Sequence, residues 1–244
     1  MPRRPHTLDT SFRKILCISA HPDDNEFTIA GSVAAWTREG REVVFCLITS
    51  GGAGTNEHTP SNEGLEPLRE RECWDAARVL GVKDLVFLRY QDGVLEPTLG
   101  MRRDLTRVIR RHRPDVVVCG DPTTRWYGNE YLNHPDHRAA ASAALDAVFP
   151  SAESRYIFTE LLAEGLPPHK VKEVLISGAN APDTWIDIGD TLDLKCAALK
   201  AHVSQVGPGE WVDKLLRGWA AMTGKRAGLK SAESYRRMVL WRGD

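Results

Sequence analysis

Apolar residues in this chain come in short unbroken runs, separated by stretches in which they recur every three or four positions. Residues 14–20, 42–49, 85–88 and 115–119 are such runs, with almost no polar residue inside them. A run of that length without alternation predicts a strand buried on both faces, as in a parallel sheet covered by helices. The stretches between them predict helices. One carries Phe27, Ile29, Ala30, Val33, Ala34 and Trp36, and a second covers residues 65–80 with Gly81 placed to end it. A third is marked by Met101, Leu105, Val108 and Ile109 and stopped by Pro114; a fourth by Ala140, Ala141, Ala144, Leu145 and Val148. Strand and helix alternate, so the expected fold is α/β: a Rossmann-like, mostly parallel sheet with helices on both faces.

The final third is less regular. Residues 171–175 and 185–188 read as strands, and Leu192, Cys196, Leu199 and Val203 as one helical stripe. Gly207-Pro208-Gly209 breaks that helix, and residues 211–222 suggest another. No repeat or linker divides the chain, so a single domain over residues 1–244 is expected, with residues 1–13 a flexible start.

Composition narrows the function. With 42% hydrophobic and 27% charged residues this is an ordinary globular chain, and a net charge of -1 offers nothing to attract nucleic acid. Residues 1–13 lack the apolar centre of a secretory signal, and no run approaches the ~18 apolar residues of a membrane span. Cys17, Cys46, Cys73, Cys119 and Cys196 are odd in number and form no CxxC pair. Three lie inside expected strands, where cysteine packs as a small hydrophobe. A reducing cytoplasm without disulfides follows. The partner to expect is a small molecule, with homo-oligomerisation left open.

Chemistry concentrates where the first strand meets its helix, at His21-Pro22-Asp23-Asp24-Asn25-Glu26. Asp23 and Asp24 taken alone read equally well as helix caps. A second stretch, Asn133-His134-Pro135-Asp136-His137, repeats the design ahead of another apolar helix. Two His/Asp clusters at i,i+3 spacing are hard to attribute to capping and point to a divalent metal. A nucleotide site is disfavoured: no G-x-G-x-x-G follows the first strand, and Gly51-Gly52-Ala53-Gly54 comes after the second without a Walker lysine. Catalytic zinc takes three protein ligands and leaves a position for water, which a nearby carboxylate helps to deprotonate. The two clusters supply ligands, a base and an oxyanion donor. Spacing leaves open whether His134 or His137 is the ligand.

At these residues the chain resembles the PIG-L/LmbE-like zinc-dependent de-N-acetylases, a superfamily of N-acetylglucosaminyl deacetylases. The resemblance extends to Arg69-x-x-Glu72 with Ala76-Ala77 and Leu80-Gly81, to Tyr90-Gln91-Asp92-Gly93-x-Leu95, and to a Lys…His-x-Ser-Gln pattern over residues 195–205. It implies His21, Asp24 and His137 as ligands of Zn2+, with Fe2+ or another divalent ion as alternatives. It implies Asp23 as the general base, His134 as the group facing the tetrahedral intermediate, and Asp136 as the residue orienting a histidine. By the same resemblance Arg69 and Asp92 are expected to contact sugar hydroxyls or a polar aglycone. Asn25 stands between Asp24 and Glu26, where a glutamate often follows the second aspartate directly; the metal site is unaffected. The implied activity is removal of an N-acetyl group from an N-acetylglucosamine-type sugar or conjugate. The alternatives are an amidase cutting a larger acyl group, as in a thiol conjugate, and a noncatalytic metal- or sugar-binding protein.

Other residues carry plainer readings. Trp126 and Tyr127 either line a sugar pocket or pack, and His202 reads as a packed or hydrogen-bonded histidine. His58, His112 and His169 are expected in solvent, and Arg102-Arg103 with Arg110-Arg111 on the wet face of their helix.

Overall fold

The computed structural model describes residues 8–56 and 64–240. Its elements run β1 (Lys14–Ser19), α1 (Asp24–Thr28), α2 (Ala30–Arg38), β2 (Glu42–Thr49), α3 (Leu65–Leu80), β3 (Asp84–Tyr90), α4 (Leu99–His112) and β4 (Val116–Gly120). They continue β5 (Trp126–Tyr127), β6 (Tyr131–Leu132), α5 (Pro135–Asp146), α6 (Glu160–Ala163), β7 (Glu173–Ser177) and β8 (Thr184–Asp187). Last come α7 (Leu192–Lys200), α8 (Val203–Val206), α9 (Glu210–Lys225) and β9 (Ala232–Val239).

The apolar runs pair edge to edge in one seven-stranded sheet of order β3-β2-β1-β4-β7-β9-β8. The first five strands in that order are parallel, and β9 runs antiparallel to both β7 and β8. Side chains alternate through the sheet, so each run feeds two cores. Ile15, Cys17, Phe45, Leu47, Val116 and Val118 pack under α2, α3, α7 and α9 through Val33, Trp36, Ala76, Leu80, Leu199 and Leu216. Leu16, Ile18, Val44, Cys46, Val117 and Cys119 face α4 and α5 through Met101, Leu105, Ala140 and Ala144. This two-sided burial is why the runs contain no polar alternation.

Several expectations need correction. The helix expected through Phe27 and Trp36 breaks at Ile29 (φ -127) into α1 and α2. The stripe ending at Val203 splits between α7 and α8. Strand β9 escapes the apolar pattern because Glu233, Arg236 and Arg237 interrupt it. Its Glu233 is buried, accepting the Gly31 and Ser32 amides at 3.0 and 2.8 Å and pairing with Lys195 Nζ at 2.5 Å. The carboxylate thereby satisfies orphan donors at the start of α2. Arg110 is not on a wet face: it is 1% exposed and donates to the carbonyls of Ser151, Ala152, Ser154 and Ile157. His169 Nε2 lies 2.7 Å from the Pro114 carbonyl, and His112 lies 3.5 Å from Asp84, so neither stands free in solvent; His58 falls outside the described residues. Within the expected flexible start, Leu8 and Phe12 lie in the core while Asp9, Thr10, Ser11 and Arg13 are exposed. Residues 57–63 of the glycine-containing loop also fall outside the described residues.

Candidate active site

Strand order reverses at β1, whose neighbours are β2 on one side and β4 on the other. The crevice beyond the carboxyl ends of such strands is where open α/β sheets bind ligands. His21, Asp23 and Asp24 follow β1, and His134, Asp136 and His137 sit at the start of α5, the helix after β4.

The donor atoms of His21, Asp24 and His137 lie within 4.8 Å of one another. Asp24 Oδ2 accepts the backbone N–H groups of Ala20 and His21 at 3.1 and 2.9 Å, and Oδ1 lies 3.0 Å from His137 Nε2. His21 Nδ1 approaches Asp24 Oδ2 at 3.5 Å, while its Nε2 lies 3.0 Å from Asp92 Oδ1 and 3.5 Å from Asp136 Oδ2. The carboxylates behind Nε2 hold the proton there and leave Nδ1 as the donor toward the trio. His137 is set in the same way by another group. Asn133 Nδ2 donates to the Thr124 carbonyl at 2.7 Å, so Asn133 Oδ1 is the atom 2.9 Å from His137 Nδ1. His137 therefore carries its proton on Nδ1, and Nε2 is free to ligate.

Asp136, His21 and His134 form a second trio of donors within 4.8 Å. Asp136 is committed elsewhere: it is fully buried and accepts the Gly93 and Leu95 amides at 2.8 and 3.1 Å. His134 Nδ1 accepts the Asp136 amide at 3.2 Å, so its remaining proton sits on Nε2 and makes it a donor. Burial and the neighbouring charge of His21 hold the His134 pKa below its ordinary value and favour that neutral form.

Asp23 does not cap its helix. It lies at the N-cap position of α1 with φ 92, a left-handed conformation uncommon outside glycine, and its side chain accepts no capping hydrogen bond. Its Oδ2 meets Arg69 Nη2 at 3.1 Å instead. The same nitrogen donates to the Pro22 carbonyl at 2.7 Å, and Arg69 Nη1 donates to the Gly51 carbonyl at 3.0 Å. Gly51 is required there: a Cβ would lie 2.1 Å from Arg69 Nη1. Beneath Asp23, the fully buried His202 pairs with Glu26 at 3.4 Å. Burial pushes the Asp23 carboxyl up and the Asp24 charge adds to it; Arg69 and His202 oppose, and the pKa stands at about 7. Burial also disfavours charge on Asp24, but His137 and His21 outweigh it and hold that carboxyl well below the usual range. For His21, burial acts downward and is overcome by Asp24 and Asp92, which raise it to about 10.

Arg69 and Asp92, expected at sugar hydroxyls or a polar aglycone, are placed against Asp23 and His21. Both side chains are buried, and both are engaged with site residues: Arg69 with Asp23, Asp92 with His21 and the Ala53 amide. Glu72 of the same motif accepts the Ser204 amide and hydroxyl at 2.7 and 2.6 Å, joining α3 to α8. Asn133 has no role in the motif reading; its i,i+4 spacing to His137 is the signal that it touches that ring.

The fold and the two clusters define a class, and comparison with known proteins agrees with it. The model of the PIG-L family, described as GlcNAc-PI de-N-acetylase, matches residues 16–148, and the chain belongs to that family. The diacetylchitobiose deacetylase of Thermococcus kodakarensis is 34% identical over 226 residues, covering 92% of this chain and 82% of that protein. A probable N-acetyl-alpha-D-glucosaminyl L-malate deacetylase 2 of Bacillus anthracis is 30% identical over 205 residues, covering 79% and 81%. Among solved structures, an N,N'-diacetylchitobiose deacetylase of Pyrococcus horikoshii with its inhibitor MPG superposes with TM-score 0.86 at 31% identity, covering 94% of this chain and 85% of that one.

Proposed function

We propose that this protein is a metal-dependent hydrolase that removes the acetyl group from an N-acetylglucosamine-type sugar or conjugate. One observation carries the reading. A two-histidine, one-carboxylate donor set converges beside a second, largely buried carboxylate that caps nothing. The donor set fits a divalent cation, zinc or Fe2+, because each imidazole has its other nitrogen engaged from behind, by Asp92 or Asn133. Such a cation supplies Lewis acidity, which polarises an amide carbonyl and acidifies water.

The chain's own residues do the rest. Asp23 takes the proton of the attacking water and returns it to the departing amine, a task suited to a carboxylate titrating near neutrality. Arg69 clamps Asp23 against Pro22 and Gly51, so the base cannot swing toward solvent. His134 offers Nε2–H to the oxygen on which negative charge develops. The named activities of the Thermococcus and Bacillus relatives support an amino-sugar substrate. All five cysteines are free and buried, which supports a cytoplasmic setting, and no helix of the described residues is long and apolar enough to cross a membrane.

The test is acetate release from N,N'-diacetylchitobiose, N-acetylglucosamine and N-acetylglucosaminyl conjugates, before and after chelation and re-addition of Zn2+ or Fe2+. Turnover that falls on chelation and returns with metal is expected. Metal bound at one equivalent with no acetate from any of these would overturn the reading.

A further inference from the structure

The hairpin β5–β6 is built from residues that belong in a core and is left outside it. Trp126, Tyr127, Tyr131 and Leu132 are 60, 39, 54 and 79% exposed. Trp126 pairs with Leu132 and Tyr127 with Tyr131, so alternation puts the two tyrosines on one face and Trp126 with Leu132 on the other. The tyrosine face is turned to the catalytic cleft. Tyr127 lines the same cleft as Asp24, Asn133 and His137. Tyr131 lies close enough for the Asp24 and Asp23 charges to add to the effect of burial in raising its phenol pKa.

The hairpin is also fastened in register with the metal ligands. Tyr127 Oη donates to the Gly178 carbonyl at 3.1 Å, and a Cβ on Gly178 would lie 2.5 Å from that oxygen. Asn133, which orients His137, donates its amide to the Arg125 carbonyl at 2.9 Å and its side chain to the Thr124 carbonyl at 2.7 Å. Arg138 of α5 donates to the Asn133 carbonyl at 2.6 Å. One residue thus closes the base of the hairpin and sets the ligand ring. The Tyr127 and Tyr131 ring centroids are 6.2 Å apart and tilted by 36°, so the two rings form one aromatic pair.

Building on the amino-sugar reading above, we propose that the Tyr127/Tyr131 face is the subsite that stacks on a pyranose ring of the substrate. The axial C–H edge of a pyranose is apolar and flat, and an exposed ring pair beside a cluster of charges gives it a dry surface at a fixed distance from the reacting amide. Tyr131 is the contact that selects a sugar over an acyclic acetamide; Tyr127 is held by Gly178 and completes the surface.

Two measurements test this, both with N,N'-diacetylchitobiose as probe. In steady-state kinetics of the metal-loaded enzyme, Tyr131→Ala should raise KM roughly 3–10-fold with kcat little changed. Tyr131→Phe should restore what Tyr131→Ala loses, because the ring and not the hydroxyl does the stacking. Trp126→Ala, on the opposite face, should leave both constants alone. In saturation-transfer NMR on the metal-loaded Asp23→Asn protein, the sugar ring protons should receive saturation with Tyr131 present and lose most of it in the added Tyr131→Ala variant. This arm reads binding without turnover, so it stands even where acetate release fails. A Tyr131→Phe variant that loses kcat would overturn the proposal, as would equal effects of Trp126→Ala and Tyr131→Ala. Unchanged saturation transfer in Tyr131→Ala would overturn it as well.

Discussion

Asp23 is the residue on which the proposed chemistry turns, and its setting explains why. A carboxylate in a left-handed backbone conformation, largely buried beside the Asp24 carboxylate, keeps a near-neutral pKa only while Arg69 holds it. Asp23→Asn should therefore retain metal, measured by elemental analysis, and lose about 10²–10⁴-fold in kcat. Loss of metal in that variant would place Asp23 among the ligands. The two histidines of the second cluster should part company. His137→Ala should lose metal and activity together, because Asn133 presents its Nε2 to the trio. His134→Ala should keep metal and lose kcat by about 10²–10³-fold, the cost of one oxyanion donor. Arg69→Ala should lower kcat more than it raises KM on every substrate that turns over, since its bonds go to Asp23, Pro22 and Gly51. A rise in KM alone, with kcat intact, would return Arg69 to a substrate-contacting role.

Elements matter here chiefly through what seats their ends. Helix α2 has no side-chain cap of its own, and its first amides are received by Glu233 from β9, with Lys195 of α7 closing the group. Tyr235 adds a hydrogen bond to Ser32 at 2.8 Å. Removing one partner of such a buried pair leaves a desolvated charge, so Glu233→Ala should cost about 3–5 kcal/mol in chemical denaturation. Glu233→Gln keeps acceptors for the amides and should cost less. The hairpin β5–β6 shows the reverse dependence: two residues per strand have little stability of their own, and Gly178 and Asn133 keep it in place.

For the whole molecule, the amino edge of the sheet holds the strands together while the carboxyl edge carries the site. Asp115, just before β4, accepts the Arg13 and Lys14 amides at 2.7 and 3.1 Å and pairs with Lys172 Nζ at 2.8 Å ahead of β7. Burial would raise its carboxyl, but Lys172 and the two amides outweigh that and hold it below its ordinary 3.8. A lowered carboxylate pKa contributes stability that is present above the unfolded value and disappears as pH falls through the folded one. The parent should therefore be more stable than Asp115→Asn at pH 7, and the gap in Tm should close as pH falls below the ordinary carboxylate value of 3.8. A gap that persisted at the acid end would assign the effect to shape and not to charge.

Local pattern determined a large part of this protein. The parallel strands were legible because two-sided burial demands unbroken apolar runs, and α3 because its stripe ends on Gly81, which adopts φ 77. The two His/Asp clusters were legible because ligands that share a turn must be three or four residues apart. What the tertiary structure alone decided rests on partners distant in the chain. Strand β9 looks polar until Glu233 meets Lys195, 38 residues away, and the α2 amides, about 200 away. Arg69 and Asp92 read in the sequence as contacts for sugar hydroxyls or a polar aglycone, and only the packing of α3 and the loop after β3 shows that they also meet Asp23 and His21. The choice between His134 and His137 was open to spacing; in the fold Nδ1 of His137 meets an acceptor, Asn133 Oδ1, and Nδ1 of His134 meets a donor, the Asp136 amide, and that difference supports the proposed division of labour. A charge or a hydrogen bond takes its meaning from whatever desolvates and faces it, and one-dimensional spacing carries that information only within a turn or two of helix.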